Sequence, residues 1–433
     1  MLYLEIRLIK RIIQDQEAER SKILSQPSII KREAGEAAAN KALKYPNAFA
    51  VLGIRRCGKS TYVWLLMDQK RYAYINLDDE ALYGIGPSDL NLILKAFYEL
   101  YDEGIDYIVL DEIQNVKGWE LFVNRLSRTK RVIITGSNST MLSGELATRL
   151  TGRHSDFLLF PFSFNEYLQY NKFDVGRAKE NQYATATSSE MSRLLSDYIK
   201  KGGMPEEYKF GMERIKATFG DIINKDVIRR HNIRNGYVVE ALAKYLVSNF
   251  AKEITYSKIG GIAGLKRVAT TATYVNYLVE AYLVFEIPRF SFKLKMQNIA
   301  PKKIYCIDTS FINAVGFATS ENTGRLMENV VAIELMRRKY YHHHGMDIFY
   351  WKDHYGREVD FAIKEGKNIS ELIQVTYASS RDEINSRETE ALIYGAKDLN
   401  CSSLIMITWD YEGEINESGK MIRCIPLWKW LIK

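Results

Sequence analysis

Cysteine, proline and long apolar runs are all scarce in this sequence. Its four cysteines are Cys57, Cys306, Cys401 and Cys424. They are widely separated and form no CxxC pair, which argues against a disulfide framework or a zinc site and favours a reducing cytoplasm. No stretch of about eighteen apolar residues occurs, so we expect no membrane span. The opening segment, MLYLEIRLIKRIIQDQ, is too charged for a signal peptide, and we expect a cytoplasmic protein.

The chain is long, has a large hydrophobic fraction and carries a small positive net charge. Its 433 residues, 46% of them hydrophobic, suffice for two to four domains that each bury a core. The net charge of +7 fits a nucleic-acid partner, and it also fits a lysine-rich soluble surface. The opening segment predicts an amphipathic helix with Ile6, Ile9 and Ile13 on one face.

Short apolar runs alternate with helical stretches between about Pro46 and Phe164. The runs are AFAVLG, RYAYINL, DYIVLDE, RVIITGS and DFLLF. Runs of this kind, separated by helical segments, predict an α/β fold with a parallel sheet buried on both faces. Polar helical sequence follows from Glu166 to about Asn235, and mixed α/β character returns from about Pro301.

A phosphate-binding motif follows the first apolar run. The letters GIRRCGKS, residues 53–60, match G-x-x-x-x-G-K-[ST] between a predicted strand and a predicted helix. Gly53 and Gly58 let the backbone form a concave nest of N–H donors, and the helix directs its positive end at the anion. We expect Lys59 to neutralise the β- and γ-phosphates of ATP and Ser60 to ligate Mg²⁺.

Two adjacent acids end the third apolar run. YIVLDE places Asp111 and Glu112 at the carboxyl end of a central strand, where open α/β sheets bind ligands. We expect Asp111 to hold Mg²⁺ through water and Glu112 to polarise the attacking water as general base. The residues predicted to bind the cofactors ATP and Mg²⁺ are Gly53, Ile54, Arg55, Arg56, Cys57, Gly58, Lys59, Ser60, Thr61 and Asp111.

Polar and basic side chains follow the fourth run. RVIITGSN ends in Ser137 and Asn138, either of which can orient the water against the γ-phosphate; a serine or Asx turn is the alternative. Arg149 and Arg153 come next, and a nucleotide site that is open on one side commonly receives an arginine from a neighbouring subunit. We favour Arg153 as that finger, which predicts a homo-oligomer. The predicted catalytic set is Glu112, Lys59, Asn138 and Arg153.

The order of these motifs resembles that of a known family. GIRRCGKS, LDEIQNVKGWE, TGSNSTML, LTGRH, PFSFNEYL and GGMPEEY occur in the order and approximate spacing of the archaeal and bacterial AAA+-like ATPases that carry a nuclease-like C-terminal domain. The resemblance runs from about Gln14 to the PLWKWLI ending. It implies an ASCE-type P-loop sheet, a helical lid, a winged helix and a restriction-endonuclease-like domain similar to the PD-(D/E)xK nucleases. The implied segments are an N-terminal helix at 1–33, the AAA+ core at 34–165, the lid at 166–235, the winged helix at 236–300 and the nuclease-like domain at 301–433.

The winged helix has support of its own. TYSKIGGIAG and TTATYVNYLVEAYLV give a short helix, a glycine-containing turn and a longer helix, which is helix-turn-helix spacing. Lys266 and Arg267 precede the second helix, and Arg289, Lys293 and Lys295 follow it, so we expect contact with phosphates more than readout of bases. A winged helix used only for packing is the alternative.

The nuclease-like domain departs from the pattern of the family that it resembles. The resemblance places two acids, Glu328 and Asp360, and then Gln374 at the positions that hold Mg²⁺, but Thr376 stands where the catalytic lysine is expected. Lys352 or Lys364 can supply a lysine from elsewhere. We therefore expect a vestigial or weak nuclease site.

Two functions of different classes remain open from the sequence. The first is an ATP-driven motor or remodeller that acts on DNA, whether branched, single-stranded or duplex. The second is an ATP-controlled switch or scaffold that acts on a protein partner. Both use the same ATP site, and turnover stimulated by DNA separates them.

Overall fold

A computed structural model describes residues 5–33, 36–102, 104–139, 154–317 and 322–432. The chain divides into two compact units, Met1–Phe160 and Pro161–Lys433. Within the described ranges, none of the helices is both long and apolar enough to cross a membrane.

A five-stranded parallel sheet forms the centre of the first unit. The strands are β1 (Asn47–Leu52), β2 (Tyr72–Asn76), β3 (Tyr107–Asp111), β4 (Arg131–Gly136) and β5 (His154–Leu158). Each strand overlaps one of the five apolar runs, and the order across the sheet is β2-β3-β4-β1-β5. The phosphate-loop strand β1 is thus separated by β4 from β3, which ends in Asp111. The predicted α/β class with a parallel-sheet core is confirmed.

Helices surround this sheet. They are α1 (Ile6–Leu24), α2 (Glu36–Ala42), α3 (Lys59–Leu66), α4 (Asp89–Tyr101) and α5 (Trp119–Leu126), with short 3₁₀ turns at Glu80–Leu82 and Ile113–Asn115. The predicted amphipathic helix α1 buries Ile9, Ile12 and Ile13 against α4 and β2, whereas Ile6 is only half-buried. Gln16 on α1 accepts from the Asn76 backbone N–H at 2.8 Å and donates to the Asn76 carbonyl at 3.1 Å, which ties α1 to the end of β2.

The second unit begins with helices, as the polar sequence before Asn235 predicts. They are α6 (Phe164–Tyr170), α7 (Val175–Glu180), α8 (Thr185–Lys201), α9 (Glu207–Phe210) and α10 (Met212–Asp221), which continues as a π-helix over Ile222–Arg229. The glycine pair of GGMPEEY follows α8 and lies against the buried carboxylate of Asp308. The Gly203 N–H donates to Asp308 at 2.6 Å, and a Cβ at Gly202 would lie 2.0 Å from the same carboxylate. Only glycines fit there.

A helix-turn-helix and a three-stranded antiparallel sheet follow. The elements are α11 (Gly236–Ser248), β6 (Lys252–Ile254), α12 (Tyr256–Ile262), α13 (Val268–Glu280), β7 (Val284–Pro288), α14 (Leu294–Ile299) and β8 (Lys302–Cys306). A Cβ at Gly260 would lie 2.4 Å from Thr271 Oγ1, so this glycine allows α12 and α13 to approach closely. Strand β8 lies beyond the proposed segment boundary at residue 300, yet it pairs with both β6 and β7.

A six-stranded mixed sheet, in the order β13-β14-β12-β11-β10-β9, completes the second unit. Its elements are α15 (Thr309–Val315), α16 (Thr323–Tyr341), β9 (Met346–Lys352), β10 (Glu358–Glu365), β11 (Asn368–Val375), α17 (Ser386–Asp398), β12 (Leu404–Thr408), β13 (Gly413–Glu417), β14 (Lys420–Pro426) and α18 (Leu427–Leu431). Helix α17 packs on β10 and β11, and its buried Leu392 belongs to the same hydrophobic cluster as the sheet residues Leu372 and Met406. The division of the chain into five segments stays a proposal.

Candidate nucleotide site

The phosphate loop joins β1 to α3 through a sharply curved backbone. Gly53 has a φ of 153°, and a Cβ there would lie 2.3 Å from the carbonyl oxygen of Leu159. Arg56 and Gly58 have φ angles of 66° and 95°, in the region that favours glycine. A loop with this alternation of backbone conformation at the amino end of a helix is typical of concave N–H nests that bind anions.

Lys59 is the first residue of α3, directly after this loop. Its ammonium donates to the carbonyls of Gly53 and Ile54 at 3.1 and 3.2 Å and lies 3.8 Å from Glu112 Oε1. Only 4% of the residue is exposed. The loop lysine and the acid at the end of β3, predicted separately from the sequence, thus meet at one site.

Arg32, which lies outside the motif and was not predicted from the sequence, also contacts the phosphate loop. Arg32 donates to the Cys57 carbonyl at 3.2 Å and to the Phe160 carbonyl at 2.6 Å. The Cys57 thiol is buried and donates to the Leu159 carbonyl at 3.4 Å. Burial raises the pKa of Cys57 above its usual value, although Lys59 and Arg32 oppose the effect, and a raised pKa disfavours the thiolate.

Asp111 is fully buried at the carboxyl end of β3. Its carboxylate accepts hydrogen bonds from Tyr74 Oη at 2.7 Å, from Thr135 Oγ1 and from the Ser60 hydroxyl. Burial and then the adjacent charge of Glu112 raise the pKa of Asp111, and the three donors act in the opposite direction. The two predicted Mg²⁺ residues, Ser60 and Asp111, are therefore in direct contact.

Glu112 follows with a backbone conformation that is unusual for glutamate. Its φ is 52°, and its N–H donates to Thr135 Oγ1 at 2.9 Å. Gln114 donates to the far carboxylate oxygen, while the near one faces Lys59. Left-handed backbone at a residue other than glycine costs about 1–3 kcal/mol and clusters at functional sites. Here it turns the Glu112 carboxylate toward the phosphate loop.

The remaining predicted site residues divide into two groups. Ser137 and Asn138 are both buried just beyond β4, so each stays a candidate for positioning the water. Arg149 and the favoured finger Arg153 lie outside the described residues.

The donor set at the loop fits Mg²⁺. Hydroxyl and carboxylate oxygens are the ligands that Mg²⁺ prefers, and Ser60 and Asp111 supply one of each at the same point. Tyr74 and Thr135 hold the carboxylate in place from the other side. Neither was foreseen; the only sequence signal was a polar residue inside each of two apolar strands.

The second predicted cluster also comes together, but around a lysine that was not foreseen. Glu328 on α16 and Asp360 on β10 both contact the ammonium of Lys303 on β8. The Asp360 N–H donates to Gln374 Oε1 at 3.3 Å. Of the two lysines considered from the sequence, Lys352 pairs with Glu253 and Glu358, and Lys364 donates to the Gly366 carbonyl.

Profiles of known families match successive parts of the chain. A family described as an AAA domain matches residues 45–168. Domains of unknown function DUF8612 and DUF4143 match residues 192–322 and 323–430. The first match contains the whole described nucleotide site except Arg32.

Solved structures resemble the chain only distantly. The Walker-type ATPase PABY2304 of Pyrococcus abyssi is 15% identical with a TM-score of 0.43, and the alignment covers 66% of this chain and 97% of that one. The Aeropyrum pernix ORC1 protein in complex with DNA is 13% identical with a TM-score of 0.30, over 69% of this chain and 91% of that one. Nothing about function follows from likenesses this distant.

Curated relatives match over most of their length. An uncharacterised protein of Haemophilus influenzae is 29% identical over 407 residues, which is 88% of this chain and 94% of the relative. The uncharacterised protein MJ1544 of Methanocaldococcus jannaschii is 34% identical over 407 residues, which is 89% of this chain and 88% of the relative. The chain therefore belongs to the same protein family as MJ1544, and its own residues 45–168 match the AAA domain.

Proposed function

We propose that the chain is a Mg-ATP-dependent ATPase of the AAA+ type that binds or remodels DNA. The observation that carries the ATPase part is the 3.8 Å approach of Lys59 to Glu112 across the phosphate loop, beside the contact between Ser60 and Asp111. A cation for the phosphates and a carboxylate for the attacking water thus occupy neighbouring positions, as phosphoryl transfer requires.

Each side chain has a distinct part in hydrolysis. Lys59 leaves the loop carbonyls and pairs with the β- and γ-phosphates of ATP, which the loop N–H groups cradle. Glu112 orients the attacking water and accepts its proton, while Thr135 and Gln114 hold the Glu112 backbone and carboxylate. Ser60, and Asp111 through water, would hold Mg²⁺, which would supply charge neutralisation on the phosphate oxygens.

A second subunit completes the catalytic site in this proposal. Asn138 or Ser137 positions the water from β4, and Arg153 of a neighbouring copy stabilises the charge on the γ-phosphate. The protein then works as a homo-oligomer. Mixing Arg153→Ala with Glu112→Gln protein tests this, because mixed interfaces restore turnover above either parent only when the arginine acts between subunits.

The helix-turn-helix and its three-stranded sheet support the DNA part. Helix α11, β6, α12, α13, β7 and β8 follow the element order of a winged helix. Lys266 and Arg267 are exposed at the amino end of α13, and Lys293 and Lys295 are exposed on the segment between β7 and β8. Positive charge on both parts suits contacts with the phosphate backbone.

The C-terminal domain is proposed to grip DNA without cutting it efficiently. Thr376 cannot supply the charge that stabilises a pentavalent phosphate, and it hydrogen-bonds the carboxyl group of Glu388. Loss of such electrostatic stabilisation costs roughly a hundred- to thousandfold in rate. Glu328, Asp360 and Gln374 are then a vestigial nuclease site.

A protein partner is the alternative, and one surface feature favours it. Phe292, Leu294 and Ile299 are all more than half exposed on the segment between β7 and β8. Apolar side chains grouped on a surface often mark protein interaction sites. In that case ATP binding sets the conformation of a switch or scaffold, and DNA has no effect on turnover.

DNA binding and DNA-stimulated turnover decide between these functions. ATP turnover is measured with no DNA and with single-stranded, duplex and branched DNA, and affinity is measured over a series of salt concentrations. Log affinity falls as log salt rises, and the double variant Lys266→Ala/Lys295→Ala should make this negative slope shallower by about 2. The matched control Lys216→Ala/Lys225→Ala, which removes two exposed lysines from the helices that precede the helix-turn-helix, should leave it unchanged. Absence of both binding and stimulation would favour the protein partner.

A further inference from the structure

A buried lysine stands among the acids of the second cluster. The Lys303 ammonium lies 2.9 Å from Glu328 Oε1, 3.0 Å from Asp360 Oδ1 and 2.7 Å from Glu358 Oε1. Only 2% of the residue is exposed. An ammonium has three protons to donate, and each of the three is matched by one carboxylate.

The other polar atoms around this lysine are also engaged by the protein. Tyr305 Oη donates to Glu328 Oε1 at 2.7 Å, and the Val375 N–H donates to Asp360 Oδ2 at 3.0 Å. Lys352 lies 3.0 Å from the second oxygen of Glu358. Each of the three carboxylates therefore has at least two protein contacts, as buried charges require.

The charge on Lys303 is strongly favoured in this position. Burial by itself lowers the pKa of a lysine, but Glu328, Tyr305, Asp360 and Glu358 outweigh it and hold the pKa well above its usual value. The surrounding acids thus favour the charged form of Lys303.

These residues do not fit a divalent cation. The Lys303 ammonium lies within 3.0 Å of both Glu328 and Asp360, so it takes the position that a metal ion bound to both acids would need, and two cations that close repel strongly in a buried site. Mg²⁺ also needs six oxygen ligands in near-octahedral geometry and keeps several waters. Across the described ranges, moreover, no three His, Cys, Asp or Glu side chains form a group suited to a metal.

We propose that the Lys303 ammonium replaces the divalent cation of the nuclease-like site, so that this site is a metal-free ionic link between two sheets. The inference rests on the proposed nuclease likeness of the C-terminal domain. Lys303 comes from β8 of the three-stranded sheet, whereas the acids come from α16 and β10. The former metal position joins the helix-turn-helix region to the C-terminal sheet.

A second contact between the same two sheets supports this role. Glu253 on β6 accepts from Tyr350 Oη at 2.9 Å and from Lys352 Nζ at 2.8 Å, and both partners lie on β9. Lys352 then continues to Glu358, which also contacts Lys303. These ion pairs and hydrogen bonds therefore form one continuous network that connects β6 and β8 with β9 and β10.

Binding of Mn²⁺ to the nucleotide-free full-length protein tests the proposal. Titration calorimetry and the melting temperature in millimolar Mn²⁺ are compared for the wild type, Asp360→Asn and Lys303→Met, with Lys364→Met as a matched control. Asp111 is present in every variant, so a difference that depends on Asp360 belongs to the second cluster.

We expect Mn²⁺ to act identically on the wild type and Asp360→Asn. Lys303→Met should melt at a lower temperature than the wild type, because it leaves buried carboxylates without a counter-ion. Mn²⁺ should raise the melting temperature of Lys303→Met but not that of the double variant Lys303→Met/Asp360→Asn. Lys364→Met should behave as wild type. The proposal would be overturned if the wild type bound one Mn²⁺ that Asp360→Asn did not bind. This comparison does not involve Lys303→Met, so it tests the proposal even if that variant fails to fold. Failure of DNA binding in the lysine test above would leave the Mn²⁺ result unaffected, so the two proposals fail separately.

Discussion

The hydroxyl of Thr135 on β4 donates a hydrogen bond to Asp111 on β3. The same oxygen accepts the backbone N–H of Glu112 at 2.9 Å. One buried threonine therefore positions both the proposed Mg²⁺ ligand and the proposed general base, because β4 lies directly beside β3 in the sheet.

Replacing Thr135 tests this arrangement. Thr135→Val keeps the shape but leaves the Glu112 N–H without its acceptor, and an unsatisfied buried group costs about 1–3 kcal/mol. We expect lower stability in urea and a larger loss of ATP turnover than of ATP binding. Thr135→Ser retains the hydroxyl and should recover most of both. Equal turnover in the valine and serine variants would show that the hydroxyl does not position the acids.

Arg32 is predicted to stabilise the phosphate loop from outside it. Its hydrogen bonds to the carbonyls of Cys57 and Phe160 involve a charged donor, and such bonds contribute about 1.5–3 kcal/mol each. Arg32→Met should weaken ATP binding by about tenfold or more, as measured by fluorescence titration. Arg20→Met removes an arginine of α1 that pairs with Glu17 and serves as control. Unchanged affinity in Arg32→Met would mean that the loop holds its conformation alone.

Gly53 is predicted to admit no side chain. Gly53→Ala would place a Cβ 2.3 Å from the Leu159 carbonyl oxygen, so the loop must move and tight ATP binding should be lost. Gly86→Ala is the matched control, because its Cβ would meet only Asp89 at 3.9 Å. Titration of both variants with ATP checks this, and normal binding by Gly53→Ala would contradict the geometry.

Asp308 gives the second unit a predictable pH dependence. Burial raises its pKa from 3.8 to about 6, against hydrogen bonds from Ser310 and Gly203. The folded state binds the Asp308 proton more tightly than the unfolded state does. The contribution of this group to the free energy of unfolding is therefore full below about pH 4 and is lost as the pH rises through about 6. The loss amounts to up to about 3 kcal/mol.

Urea unfolding of the wild type and Asp308→Asn over that pH range measures this effect. The free energy of unfolding of the wild type minus that of Asp308→Asn should decrease as the pH rises. The substitution also changes stability by an amount that does not depend on pH, and this amount does not affect the trend. A difference independent of pH would show that Asp308 is ionised throughout, with its two backbone N–H donors outweighing burial.

Much of the nucleotide site could be predicted because its residues are close in sequence. GIRRCGKS lies in one loop, and Asp111 and Glu112 are adjacent at a strand end, so local pattern and the rules of parallel sheets suffice. Strands β1 to β4 of the first sheet could be predicted because each is buried on both faces along most of its length and is therefore a short apolar run. Strand β5 is only partly buried, and the apolar run DFLLF overlaps only its last three residues.

The residues that escaped prediction come from distant parts of the chain. Arg32 lies 128 residues from Phe160, and Lys303 lies 57 residues from Asp360, so only the tertiary fold brings each pair together. Lys303 did leave a signal, since it alternates with Ile304 in an apolar strand and shares a face with Tyr305. The β13–β14 hairpin and α17 were missed because their half-exposed sequences lack a continuous apolar run.

The most direct test of the account is ATP binding and ATP turnover measured together for the wild type, Lys59→Ala and Glu112→Gln. Lys59→Ala should fold normally and lose tight binding, because it removes the charge that offsets the phosphates. Glu112→Gln should bind ATP as the wild type does, yet hydrolyse it about a hundredfold or more slowly, because only the general base is lost. Turnover by Glu112→Gln at the wild-type rate would contradict the account.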